Sequence, residues 1–137
     1  DKYPSNQDIM AWFASANPTP PMFNLPDHFF SYNNTNYAIL AAIVEKVTNQ
    51  SFEAYMRQNI FLPLGMKDSF VITSKNDSLN INRTKGYQFG RPLAKDWYDD
   101  VTGDKGVYST TKDLLKWYQG LRDAKVISKE SLREMYT

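Results

Sequence analysis

The chain of 137 residues contains no cysteine, which excludes disulfides and thiolate chemistry and leaves its redox compartment open. Its one histidine, His28, is too few for a zinc site built from protein ligands, so neither a metal nor another cofactor is expected. Sixteen basic and fifteen acidic residues nearly cancel, to a net charge of +1. No Lys/Arg cluster is present to follow a phosphate backbone, so nucleic acid is not indicated as a partner, and charge gives no membrane attraction. No apolar run approaches the roughly 20 residues that cross a bilayer. Asp1-Lys2-Tyr3-Pro4 does not read as a signal peptide, so any export address is expected outside this chain. Internal repeats and low-complexity tracts are also missing.

Against these absences stand 42% hydrophobic residues, with nine Tyr, eight Phe and three Trp. That composition belongs to a globular domain whose packing is dominated by aromatic rings. The length suits one domain able to bury roughly two-thirds of its unfolded surface.

Ser5-Asn6-Gln7-Asp8 has the form of a capping box, and Ile9, Trp12 and Phe13 follow at helical spacing, so a short first helix is predicted. Asn17-Pro18-Thr19-Pro20-Pro21 stops it, because proline removes backbone donors and biases its predecessor toward extended geometry. Residues 22–31 read as an irregular approach to the next helix, over 35–48. There Tyr37, Leu40, Ala41, Val44 and Val47 fall on one stripe, predicted to be buried. Asn49 suits the left-handed position that ends a helix. Ser51 caps a following helix with Phe52, Tyr55, Met56 and Ile60 inward, ended by Pro63 and Gly65.

Segments 70–73 and 86–89 are short and β-favouring, and the turn-rich 74–83 between them predicts that they pair as a small hairpin. Residues 91–106 read as a long loop, with a tight turn at Gly103 to Gly106. A helix over 111–121 would bury Leu114, Leu115, Tyr118 and Leu121, and Ser128 caps a last one carrying Leu132, Met135 and Tyr136.

Tyr32-Asn33-Asn34 is the most informative stretch of the chain. A phenol and a carboxamide two residues apart, at a helix start, can share one side of the turn, so they can form the rim of an active site. The plainer reading is packing for Tyr32 and helix capping for its neighbours, since Asn33, Asn34 and Thr35 are all good N-caps. Capping through the Asn34 oxygen would still leave its NH₂ group to face a ligand.

Reading on from Phe30, FSYNNTNYAILAAIVEKVTNQSFEAYMRQNIFLPLGMKDSFV resembles the serine β-lactamase-like family of class C β-lactamases, DD-peptidases and related esterases. The matching pieces are Tyr32 with Asn34, Glu45 to Gln50, and Pro63-Leu64-Gly65-Met66. Gly103-Asp104-Lys105-Gly106-Val107-Tyr108-Ser109-Thr110-Thr111-Lys112-Asp113-Leu114 is similar to that family's Gly-Gly-x-x-Ser-Thr-x-x-Asp-Leu segment, and Ile127-Ser128 with Leu132 extends the match. It covers nearly the whole chain from about residue 21.

The resemblance implies an α+β, mainly α fold: the helical subdomain of a β-lactamase/transpeptidase-like fold with a small β-hairpin, as a single partial domain over residues 1–137. It implies an acyl-enzyme mechanism. Tyr32 would be the catalytic base or proton relay, and Asn34 would bind a substrate carbonyl. An ordinary phenol has a pKa of about 10 and costs roughly 4 kcal/mol to ionise at pH 7, so such a base needs nearby cations and a helix N-terminus. The family's nucleophilic Ser, its Lys one turn later, and its Lys-Thr-Gly or His-x-Gly strand are expected on polypeptide outside this chain. The isolated chain is therefore expected to be inactive. Implied partners are a small-molecule or peptide substrate and a sheet subdomain of the parent, and the implied setting is bacterial and periplasmic or extracytoplasmic. Departures from the pattern are Asn33 for a usual Ser, Asn49 for a usual Gly, and Pro26-Asp27 for a Pro-Gly pair. They leave the choice among β-lactam, peptide and ester open.

Other readings are a non-catalytic module using the same fold to hold peptidoglycan, peptide or protein, and a plain helical interaction domain. Ser109-Thr110-Thr111-Lys112 satisfies Ser-x-x-Lys. It reads as a decoy, because Ser109, Thr110 or Thr111 can cap the helix that follows while Asp113 complements its dipole. Glycosylation-type triplets at Asn33, Asn49, Asn76 and Asn82 matter only in a eukaryotic secretory pathway.

Overall fold

Ser5 opens helix α1 (Asn6–Ser15) as its sequence dictates: the Asp8 N–H donates to Ser5 Oγ at 3.3 Å, and the Ser5 N–H donates to Asp8 Oδ2 at 2.8 Å. The computed structural model describes residues 3–21, 24, 25, 27–76, 83–94 and 99–136. Immediately after the cap, Asn6 is 2% exposed and is the main polar group of the interior around α1. Its Nδ2 donates to the carbonyls of Ala38 (3.2 Å) and Thr102 (3.0 Å), and its Oδ1 accepts the Thr102 N–H at 2.7 Å. One side chain thus joins α1, helix α2 (Asn34–Thr48) and the buried pair Val101-Thr102.

Helix α2 begins and ends where local chemistry predicts, with Asn33 as N-cap and Asn49 left-handed at φ 55°. Its predicted stripe is turned. Ala38, Ala41 and Ala42 are buried, whereas Leu40 is exposed and Val47 is 79% exposed. The cause is close approach. Gly103, at φ +103°, lies where a Cβ would fall 2.5 Å from the Tyr37 carbonyl oxygen and 2.7 Å from Ala41 Cβ, so small residues must face inward. On α1, Trp12 is also exposed.

Helix α3 (Phe52–Met56) starts at its Ser51 cap, and its first amide receives more help: the Phe52 N–H donates to Glu45 Oε1 at 3.0 Å. Glu45 Oε2 also accepts from Gln7 Nε2 at 3.2 Å, so this carboxylate spans three helices. α3 runs into a π-helical turn, Arg57–Phe61, in which Phe61 is buried, while Phe52, Tyr55, Met56 and Ile60 are half-buried. Phe61, Met66 and Val71 form a second core, packed by Phe52, Met56, Ile60, Leu64 and Trp117. Helix α4 (Thr111–Arg122) meets it through Gly120, whose missing side chain leaves room for Leu64. Leu114, Leu115 and Tyr118 are exposed, contrary to the predicted burial, because α4 turns Gly120 and Asp113 inward. Helix α5 (Lys129–Met135) follows its Ser128 cap, with Leu132 half-buried and Tyr136 outside.

The predicted pairing of 70–73 with 86–89 does not form. β1 (Phe70–Val71) pairs antiparallel with β4 (Val107–Tyr108), bringing Phe70 and Tyr108 rings into a stack at 5.4 Å. β2 (Tyr87–Gln88), in a segment read as β-favouring, instead turns back on β3 (Arg91–Pro92), which falls in what reads in sequence as loop. Phe89 and Gly90 both take positive φ, as a tight two-residue hairpin turn requires. The 74–83 segment lies largely outside the described residues. Its described start is held by Asn76, whose Oδ1 accepts the Thr73 N–H at 2.8 Å and whose Nδ2 donates to Val71 O and Glu53 Oε1. The Asn76 amide of that triplet is thus engaged within the fold. Asn82 lies outside the described residues, as does Pro26.

Asp113 is fully buried beneath this sheet, a role beyond the predicted dipole complement. It accepts the Asp68 N–H (2.8 Å), the Ser69 hydroxyl (2.9 Å) and Lys116 Nζ (2.6 Å). Lys116 also donates to Gly65 O at 2.6 Å. Burial alone would push the carboxyl pKa up; the Lys116 ammonium, the Asp68 amide and the Ser69 hydroxyl outweigh it and hold the pKa below the ordinary value.

Two outcomes follow from these polar anchors. Asn6→Ala leaves the buried N–H and carbonyl of Thr102 unpaired, while the Ala38 carbonyl keeps its helical partner, and should cost on the order of 2 kcal/mol in chemical denaturation. A change under about 1 kcal/mol would contradict its anchoring role. Because the folded Asp113 pKa is depressed, its stabilisation is present above the unfolded value of 3.8 and is lost as pH falls through the lower folded value. Asp113→Asn should therefore flatten the stability-versus-pH curve below about pH 4, read from unfolding midpoints at several pH values.

Candidate active site

The irregular approach to α2 brings the chain to Asp27, which holds a left-handed φ of 66°. A glycine takes that conformation freely, so the residue replacing a usual glycine keeps its backbone role at some strain. His28, Phe29 and Phe30 then run along the surface. His28 takes part in no titratable cluster of metal-ligating type among the described residues.

The chain reaches Asn33 extended, at φ −149° and ψ 122°. An extended residue sends its two neighbours to the same side, so Tyr32 and Asn34 share one side of the segment. Asn33, not Asn34, caps the helix: its Oδ1 accepts the Thr35 N–H at 2.8 Å. Asn34 is thereby released from capping and is exposed as the first helical residue, without a side-chain hydrogen bond among the described residues.

Tyr32 is 64% exposed, with its ring against Tyr37 at 5.6 Å between centroids and a 40° tilt. Its hydroxyl is not sequestered in a core. The opposite side of the segment faces a cleft of about 630 Å³, lined by Phe13, Leu25, Phe29, Asn33, Asn36 and Ile39. Tyr32 and Asn34 do not line it. Both residues are exposed at the N-terminal, positive end of α2, where negative charge is favoured.

Ser109 lies elsewhere. Its hydroxyl is 2.8 Å from Ser69 Oγ, Thr110 caps α4 by accepting the Asp113 N–H at 3.2 Å, and no hydrogen bond joins Ser109 to Lys112. The Ser-x-x-Lys pattern thus coincides with a helix cap and a strand-end contact. A second cleft, of about 550 Å³, lies between the β1/β4 pair and the β2/β3 hairpin, with Thr73, Arg83, Leu93, Lys105 and Tyr108 in its wall. It includes neither Tyr32 nor Asn34.

Sequence reasoning passed over Tyr37 and Gly103 at this edge. Tyr37 reads as one more member of an apolar stripe, and Gly103 as a turn residue. Their meeting depends on a docking of segments 66 positions apart that periodicity does not encode.

The fold has counterparts. Penicillin-binding protein 4* of Bacillus subtilis (strain 168) is 30% identical over 129 residues, covering 82% of this chain and 28% of that protein. The penicillin-binding protein of Bacillus halodurans superposes with a TM-score of 0.77 at 25% identity, over 97% of this chain and 40% of the other. The octameric penicillin-binding protein homologue from Pyrococcus abyssi gives 0.76 at 28% identity, over 97% and 30%. The chain therefore spans well under half the length of these relatives. Their likeness supports the α+β, mainly α architecture of a β-lactamase/transpeptidase-like fold. The family model described as Beta-lactamase matches residues 1–137, and the chain belongs to that family.

Proposed function

We propose that this chain supplies the Tyr32–Asn34 edge of a serine acyl-hydrolase site whose nucleophile is carried by adjoining polypeptide. The observation that carries the reading is the paired exposure of the two side chains on one side of an extended turn, with Asn33 taking over the capping duty. Family membership supports the chemistry, and the relatives named for penicillin binding support a substrate with a reactive amide carbonyl.

In this mechanism a serine hydroxyl attacks the carbonyl carbon and its proton passes to the Tyr32 oxygen. Tyr32 then returns that proton to the departing nitrogen or oxygen, leaving an acyl-enzyme that water clears. Asn34 donates from its NH₂ group to an oxygen of the bound substrate and fixes its orientation. The flanking sequence supplies the serine, the lysine that makes the phenol a competent base, and the strand that closes the cleft. The face of α2 bearing Leu40, Ile43 and Val47 is exposed and apolar, consistent with a chain that packs against further polypeptide.

A fluorophosphonate or fluorescent penicillin probe applied to the full-length protein tests this. Labelling should disappear when the serine of an upstream Ser-x-x-Lys is replaced, and should slow by about a hundredfold or more in Tyr32→Phe. Asn34→Ala should lower kcat/KM by about tenfold, the loss of one substrate hydrogen bond. Labelling at an unchanged rate in Tyr32→Phe would overturn the assignment. A parent without Ser-x-x-Lys that still retains a peptide or peptidoglycan ligand would make the fold a binding module.

A further inference from the structure

Tyr32 sits on an extended segment with no hydrogen bond from its side chain among the described residues, and it is more than half exposed. A side chain so placed samples several rotamers, and only some put the phenolic oxygen where a serine could pass it a proton. The ring of Tyr37, tilted at 40° and 5.6 Å away, is its aromatic contact. A pair of this geometry biases a rotamer population by roughly two- to tenfold.

Tyr37 is well anchored for that task. It lies in the first turns of α2, and its carbonyl is backed by Gly103, where any Cβ would intrude to 2.5 Å. Gly103 follows Thr102, which the Asn6 carboxamide ties to α1 by hydrogen bonds of 2.7 and 3.0 Å. The ring that touches Tyr32 therefore projects from a turn clamped on its inner side, while the ring itself stays 43% exposed and free of the core.

We infer that Tyr37 is a positioning residue for Tyr32: its ring holds the phenol in the proton-transfer rotamer, and the Gly103 docking holds Tyr37. This rests on the catalytic reading of Tyr32 given above. It requires the ring and not the hydroxyl of Tyr37, and it acts on the chemical step more than on substrate affinity.

The test is a double-mutant cycle in the full-length protein, with hydrolysis of a chromogenic cephalosporin or a nitrophenyl ester as readout and thermal unfolding as the check on folding. Tyr37→Leu should lower kcat by about tenfold with KM changed less than about twofold. Tyr37→Phe, which keeps the ring, should remain within about twofold of the unmodified enzyme. In a Tyr32→Phe background, adding Tyr37→Leu should cost less than about twofold, because the group being positioned no longer transfers a proton.

A Tyr37→Leu effect that multiplies undiminished with Tyr32→Phe would overturn the inference while leaving Tyr32 catalytic. So would a Tyr37→Phe variant as impaired as Tyr37→Leu, or a Tyr37→Leu variant as active as the unmodified enzyme. A silent Tyr32→Phe would instead remove the catalytic reading itself, and the two failures are told apart by that single variant.

Discussion

The Asn6 carboxamide is the contact through which distant parts of the chain become one structure. It reaches Ala38 on α2 and both backbone groups of Thr102, 96 residues away in sequence. A buried amide so fully satisfied contributes little beyond an apolar contact when intact, but leaves the Thr102 N–H and carbonyl unpaired when broken. It therefore specifies an arrangement: α1, α2 and the 101–103 strand-like segment can meet in one register only.

That register decides what the site looks like. With Thr102 fixed, Gly103 falls against the inner face of α2, which selects alanines for that face and turns the larger apolar side chains outward. On the outward side the Tyr37 ring meets Tyr32, while the extended geometry of Asn33 comes from its own capping of α2. The second core, around Phe61, Met66 and Val71, rests on its own polar anchor at Asp113, which ties α4 to the turn leading into β1.

Much of this is legible in the sequence where the governing physics is local. Ser5, Ser51 and Ser128 cap the helices they precede, and Asn49 ends α2 left-handed, because each decision involves a few neighbouring dihedrals and one hydrogen bond. Helix faces were not legible. Apolar residues are abundant enough on α2 and α4 to outline a stripe that faces outward, while glycine and alanine, which carry no strong hydropathy signal, mark the true contacts. Strand partners were not legible either, since strands of two residues hold too few side chains to specify a register, and β1 takes a partner 36 positions on. The roles of Asn6, Glu45 and Asp113 were hidden for another reason. Polar residues near helix ends look like caps or solvated charges until a tertiary partner is known. Tyr32 and Asn34 stood out through the family resemblance and the turn geometry together, whereas the residue beside Tyr32 did not.

Amide hydrogen exchange at Thr102 tests the account most directly, because that N–H points at Asn6 Oδ1 and would be freed by any undocking of the segment. The Thr102 amide should exchange only with the global unfolding of α1 and α2, as slowly as the interior amides of α2. Exchange at the rate of amides in the exposed β2/β3 hairpin would contradict it, for the 101–103 segment would then open independently and could not hold the first turn of α2 in place.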